Sequence, residues 1–339
     1  MSEGARVFLV ALCCGVVCAL WASGPVRAQS QEGSSQTWTP PRLADGQPNI
    51  AGMWNSVAAT HTPLQLPASL ADKDSFTQDE LDALVAARAE RRGDASGWDR
   101  PDSGASVNEG DLAYAPYWFD TYWSEPVAGD APALVVDPPD GRIPEWMPST
   151  REWLRDTRLH LHDSYEFMES GDRCITRGVL GMMMPTAYNN GTLILQPPGF
   201  VVLHSEMIHN ARIIPVDGRQ HLEQDIRQWD GDPRGHWEGN TLVVESTNFR
   251  VVSSMRGAAA LIRSRQTESQ RIVERFTFVD VNTLKYSVTV DDEETYASPW
   301  TVAFPMSRDD EYRQFEYACH EGNYSVPNAL GGARAKERR

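Results

Sequence analysis

The segment Phe200–Phe249, FVVLHSEMIHNARIIPVDGRQHLEQDIRQWDGDPRGHWEGNTLVVESTNF, holds the densest mixture of alternating apolar residues and titratable side chains in the chain. Read with a period of two over 200–214, one face presents Val202, His204, Glu206, Ile208, Asn210, Arg212 and Ile214. The opposite face, with Val201, Leu203, Ser205, Met207, His209, Ala211 and Ile213, is mostly apolar. An acid, a base, an amide and a guanidinium in one row are the ingredients of general acid–base catalysis. His204 and Glu206 lie about 7 Å apart along an extended strand, whereas Arg212 lies about 20 Å from Glu206 and cannot join it unless the chain bends. His209 points away on the same assumption. A bulge near His209–Asn210 turns it towards Glu206; without a bulge, His204 takes its place.

Further candidates lie outside this strand. Arg173, Tyr188 and Asn190 fall in a Met- and Asn-rich loop, and Trp237, Tyr317 and His320 follow later. Tyr114–Trp123 contains six aromatic residues including Trp118, either an aromatic wall for a ring-bearing ligand or a packed lid. Asn189 and Asn190 serve equally well as turn formers, and buried histidines and arginines often only satisfy backbone groups. The expected roles are catalysis for Glu206, His209, Arg212, Tyr188 and His320. Substrate contact is expected from His204, Asn190, Arg173, Trp237, Tyr317 and Trp118. No Walker loop, Gly-x-Gly-x-x-Gly, Gly-x-Ser-x-Gly or His-Glu-x-x-His occurs. Asp230-Gly231-Asp232 opens like a calcium loop, but Arg234 and Thr241 stand where acids are needed. Four histidines, His204, His209, His236 and His320, have no ligand spacing, so no metal and no cofactor is expected.

The elements that must position these groups are mainly strands. Residues 192–196, 200–214, 236–238, 241–246, 271–280, 284–290, 300–304 and 312–319 read as strands separated by turn signals such as Asp217-Gly218 and Gly239-Asn240. Such spacing predicts an antiparallel meander closing into a barrel. Gly52-Met53-Trp54 resembles the Gly-x-Trp that opens lipocalin-type barrels, where the tryptophan plugs the closed end. Thr77-Gln78-Asp79-Glu80 is a capping box for a helix ending at Gly93, and Ser149-Thr150-Arg151-Glu152 is a second, for a helix reaching about Met168. The fold class expected is mainly β, a lipocalin-like barrel with helical and irregular N-terminal excursions. It occupies 46–330 as one domain, with a helical and loop insertion at about 75–190 and a charged tail at 331–339.

Residues 1–28, with Arg6, an apolar run from Val7 to Trp21 and Val26-Arg27-Ala28, read as a secretory signal peptide; 29–45 is a leader. The apolar run is shorter than the about 20 residues of a membrane span. Export implies a periplasmic or secreted protein, free of the membrane once the signal is cleaved. The formal net charge of −16 disfavours nucleic-acid binding. Outside the signal only Cys174 and Cys319 remain; an isolated pair in an exported chain reads first as a disulfide, with two buried thiols as the alternative.

The set DRC (172–174), MMMPTAYNN (182–190), EMIHNARIIPVDGR (206–219), GDPRGHWEGNTLVVESTNF (231–249), RIVERFT (271–277), SPWT (298–301) and YACHEGNY (317–324) is similar to a large group of exported bacterial proteins. The likeness spans roughly Gly46 to Gly332 and transfers no catalytic residue. The expectation is an exported, cofactor-independent lyase, isomerase or hydrolase acting on a small hydrophobic, aromatic or phenolic compound. The alternative is a non-catalytic binding protein using the same pocket.

Overall fold

The computed structural model describes residues 38–73, 76–95, 120, 131–256 and 263–339. The expected signal peptide lies outside them, as does the aromatic segment 114–123 except Asp120, and with it Trp118.

Alternation builds the sheet. In β10 (Arg271–Asp280), β11 (Thr283–Asp291) and β12 (Trp300–Arg308), the inward set Phe276, Tyr286 and Phe304 falls in one register across three strands. Their rings stack at 5.0 and 5.2 Å between centroids. The remaining strands are β1 (Gly52–Asn55), β2 (Val135–Asp137), β3 (Gly191–Leu195), β4 (Phe200–Ser205), β5 (Asn210–Pro215), β6 (Asp232–Glu238) and β7 (Thr241–Thr247). The sheet order is β5-β4-β3-β1-β12-β11-β10-β7-β6, with β2 added to β12. A separate hairpin pairs β8 (Val252–Arg256) with β9 (Arg263–Gln266).

Every neighbouring pair along this path is antiparallel, and the path has nine strands. An odd number leaves the two edges, β5 and β6, running the same way, so an antiparallel ladder cannot close the seam. The barrel is therefore nearly closed. Gly235 of β6 is where the edges meet: a Cβ there would come within 2.8 Å of Val216 and 3.0 Å of Ile214. Parallel edges also forbid the hairpin expected at Asp217-Gly218. Residues 216–231 instead return along the barrel, and Asp217 turns back to pair with Arg219.

One end is plugged by Trp54, as the Gly-x-Trp likeness implies. Trp54 is fully buried, donates to Ile50 O at 2.9 Å, lies under the Arg308 guanidinium at 5.0 Å and meets Phe278 edge-on. Gly52 has φ +140, and a Cβ there would stand 2.8 Å from Arg308 Nη1, so the plug needs glycine at that point. The opposite mouth is covered by the segments before β3 and after β12. Cys174 and Cys319 are joined there in a disulfide, with Cα atoms 5.6 Å apart.

The helices differ from expectation in their ends. α1 (Gln78–Ala95) starts with the expected capping box, Thr77 N donating to Glu80 Oε2 at 2.9 Å, but runs past Gly93. α2 (Pro148–His160) begins on Pro148 without a side-chain cap and stops well before Met168. Pro148 supplies the pre-set φ of a first helical residue, which puts Ser149 inside the helix instead of at its cap; Thr150 donates to Glu294 O. α3 (Gly178–Met183) is short. The strand expected at 312–319 is irregular chain: it crosses β3 and β4 and is held to them by the Gln314 and Tyr312 side chains instead of a backbone ladder. The charged tail is part of α4 (Ser325–Glu337), where Arg334 pairs with Glu337 and donates to Asp163 O and His162 O. Among the described residues no helix is long and apolar enough to cross a membrane.

Candidate functional site

Residues 200–214 are not one strand. β4 and β5 form a hairpin, with Ser205 opposite Asn210 and Leu203 opposite Arg212. The turn is a tight one in which Ile208 and His209 take φ of 59° and 55°. His209 N donates to Glu206 O at 2.9 Å, and Glu206 N to Gly191 O at 3.0 Å. Ile208 is β-branched and left-handed, so it is held there at a cost; burial of Ile208 and of Met207 beside it offsets that cost. No Gly, Pro or Asn-Gly marks the turn, which is why alternation reads straight through it.

The hairpin splits the expected row of catalytic groups. Glu206 is buried at the mouth, 3% exposed. Its carboxylate accepts from the Tyr312 hydroxyl at 2.5 Å and from Phe315 N at 3.3 Å. Burial first, and then the bond to Glu206, push the Tyr312 phenol far above its ordinary range, so it remains a donor. Gln314 lies between these contacts. Its Nε2 donates to Gly191 O and His204 O at 3.2 and 3.0 Å, so its Oε1 is left to accept from His204 Nδ1 at 2.7 Å. That bond places the His204 proton on Nδ1 and leaves Nε2 as its basic nitrogen. His209 is exposed, its ring edge-on to His204 at 5.1 Å.

Asn190, expected to contact substrate, is buried and fully used. It holds Thr186 N and Thr186 O at 2.8 Å each and donates twice to Asp120 Oδ2, at 2.9 and 3.1 Å. Its amide closes the loop before β3.

A second cluster gathers Arg177, Tyr188 and Tyr317. Arg177 donates to Tyr188 Oη at 3.0 Å and stacks on that ring at 5.7 Å. Burial works against the Arg177 charge, but the Tyr188 and Tyr317 hydroxyls outweigh it and raise its pKa. Burial and Tyr188 push the Tyr317 phenol up, against the pull of Arg177. Asp230 holds the residues next to them in the chain, accepting from Thr176 Oγ1 at 2.6 Å and from Asn210 Nδ2 at 2.7 Å. Arg173 stands between Tyr165 and Trp229, 5.2 and 5.8 Å from their centroids, beside the disulfide.

Three expected site residues are elsewhere. Arg212 points into the barrel, where it forms a two-pronged pair with Glu274, through Nη1 to Oε1 at 2.9 Å and Nη2 to Oε2 at 2.5 Å. Ser246 and Tyr286 complete that network at 3.3 and 3.0 Å. His320 is exposed in a turn. Trp237 lies opposite Leu242, next to the β6–β7 turn, towards the plugged end. Of the four histidines considered as ligands, His204 and His209 come together, whereas His236 pairs with Glu238. Among the described residues no group of three or more His, Cys, Asp or Glu has metal-site geometry.

Sequence reasoning missed Tyr312, Gln314, Arg177, Asp120 and Glu274. Glu274 and Tyr286 had a readable signal: each interrupts an otherwise apolar inward face, Ile272–Phe276–Phe278 and Leu284–Val288–Val290. Tyr312 and Gln314 sit on irregular chain, where no period marks direction. Comparison with family models, curated proteins and solved structures returns no match.

Proposed function

We propose that the chain is an exported enzyme, of the lyase or isomerase type, that performs side-chain acid–base catalysis at the mouth of the barrel. The proposed substrate is a small hydrophobic compound with an aromatic or phenolic ring. The observation that carries this reading is the convergence of His204, Glu206 and Tyr312 on the segment 312–315. In this reading His204 Nε2 takes a proton from substrate and, as the imidazolium so formed, returns it to the rearranged product or the leaving group, while Tyr312, its hydroxyl committed to Glu206, holds the site in shape. Arg177, with Tyr188 and Tyr317, offers a half-buried cation for a developing enolate or phenolate oxygen. Arg212 is assigned no catalytic part, because Glu274 occupies both its prongs.

Two features support the setting. The barrel's inward positions among the described residues are filled by Trp54, Trp300, Tyr286, Phe276 and their neighbours, all fully buried. That moves a site to the mouth. The disulfide suits an oxidising compartment, in keeping with export and with the likeness to exported bacterial proteins.

One observation favours the rival, a non-catalytic binding protein: both Glu206 oxygens are already engaged by the chain after β12. A panel of phenolic and other hydroxyaromatic compounds, followed by product detection, separates the two. The enzyme reading expects turnover that falls about a hundredfold or more in His204→Gln and Tyr312→Phe, with folding intact. Binding without turnover, unchanged in both variants, sinks it.

A further inference from the structure

Beside α2 the surface opens into a cleft of about 730 Å³. Sites for one small organic molecule span roughly 300–1,000 Å³. The cleft is formed by α2, the stretch 143–146, Gln65 and Tyr296, and shares no residue with the mouth cluster.

Its lining mixes two chemistries. Ile143, Trp146 and Leu154 are apolar or aromatic. Arg151, Arg155 and Arg158 are cationic, with Glu145 as the one carboxylate in the lining. Spaced at i, i+4 and i+7, they share one face of the helix. Arg151 is committed to Glu145 at 2.7 Å. Arg155 faces Glu152 only at 3.6 Å, with both side chains about three-quarters exposed (72% and 77%), a pair of little strength. Arg158 has no carboxylate within ion-pair distance among the described residues. Two guanidinium groups one helical turn apart are thus left to face an anion, in a chain whose net charge is −16.

We infer that this cleft binds a small aryl carboxylate. The carboxylate lies between Arg155 and Arg158, whose planar forks match its two oxygens. The ring lies against Trp146 and Leu154, where stacking and burial add to the ion pair. A neutral aromatic lacks the first half of this recognition and an alkyl carboxylate lacks the aromatic half.

Calorimetric titration of the signal-free chain at low salt tests it, with cinnamate as probe and cinnamyl alcohol and octanoate in parallel. The expected result is one cinnamate site, with both comparison compounds at least about tenfold weaker. The Arg155→Gln/Arg158→Gln variant, altered only at exposed positions, should fold as the parent does and lose at least about tenfold in cinnamate affinity. Glu206→Gln, which alters the mouth alone, should bind cinnamate as the parent does. The assignment is overturned if cinnamate gives no heat, if the alcohol or octanoate binds as tightly, or if Glu206→Gln loses binding while the double arginine variant keeps it. None of these results bears on turnover at the mouth, so the two sites are judged separately.

Discussion

A guanidinium and a carboxylate sealed inside a barrel have no water to replace a lost partner. Arg212 and Glu274, 6% and 0% exposed, therefore depend on each other. Glu274→Leu leaves a buried, unpaired cation and deprives Tyr286 of its acceptor; it should cost about 3–5 kcal/mol in urea unfolding. Arg212→Met combined with Glu274→Leu should recover most of that loss, because no uncompensated charge remains. Equal destabilisation by the double and single variants contradicts this account. Tyrosines supply the pH dependence. Tyr286, Tyr312 and Tyr317 are all raised above the ordinary phenol value of 10.0, with burial the leading cause. A raised folded-state pKa means stability that is complete below about pH 10 and declines as pH climbs beyond it. In alkaline absorbance titration these three of the chain's ten tyrosines should stay protonated while the folded protein persists, and ionise together on unfolding.

At the level of elements, the mouth depends on close passage of the segment after β12 over the start of β3. Gly191 is the contact point: a Cβ there falls far inside van der Waals distance of the Tyr312 ring. Gly191→Ala should lift Tyr312 from Glu206 and lower the turnover proposed for the mouth about tenfold or more, while the barrel itself still unfolds cooperatively. Full activity in this variant argues that Tyr312 acts only as packing. The same element level shows where reading the sequence stopped. Period-two patterning located the strands β10, β11 and most of β12, because one buried face imposes it. It could not see the turn at Glu206–His209, whose left-handed Ile208 and His209 are imposed by pairing of β4 with β5. Nor did it place Tyr312 or Gln314, which answer to the shape of the mouth.

For the whole molecule, one covalent link spans 145 residues and ties the segment after β12 to the loop before α3. In the chain-entropy view such a long loop contributes roughly 4–5 kcal/mol. Cys174→Ser/Cys319→Ser should lose much of that stability in denaturant titration, and the segment 309–324 should become the first site of limited proteolysis. Unchanged cleavage there would show that Tyr312, Gln314 and Asn323 hold the segment without the link.

Alternation alone gave the mainly β barrel; the tryptophan plug came from the Gly-x-Trp likeness, and the cysteine pair read first as a disulfide with two buried thiols as the alternative. The barrel rests on local chemistry, since a buried face repeats every two residues. The make-up of the mouth was decided only by tertiary structure. Arg212 left the expected row for Glu274, His320 turned to solvent, and Tyr312 and Gln314 entered beside Glu206 and His204. Those outcomes follow from which strands become edges and how the returning chain crosses the open end. Both are set by contacts between residues more than a hundred positions apart.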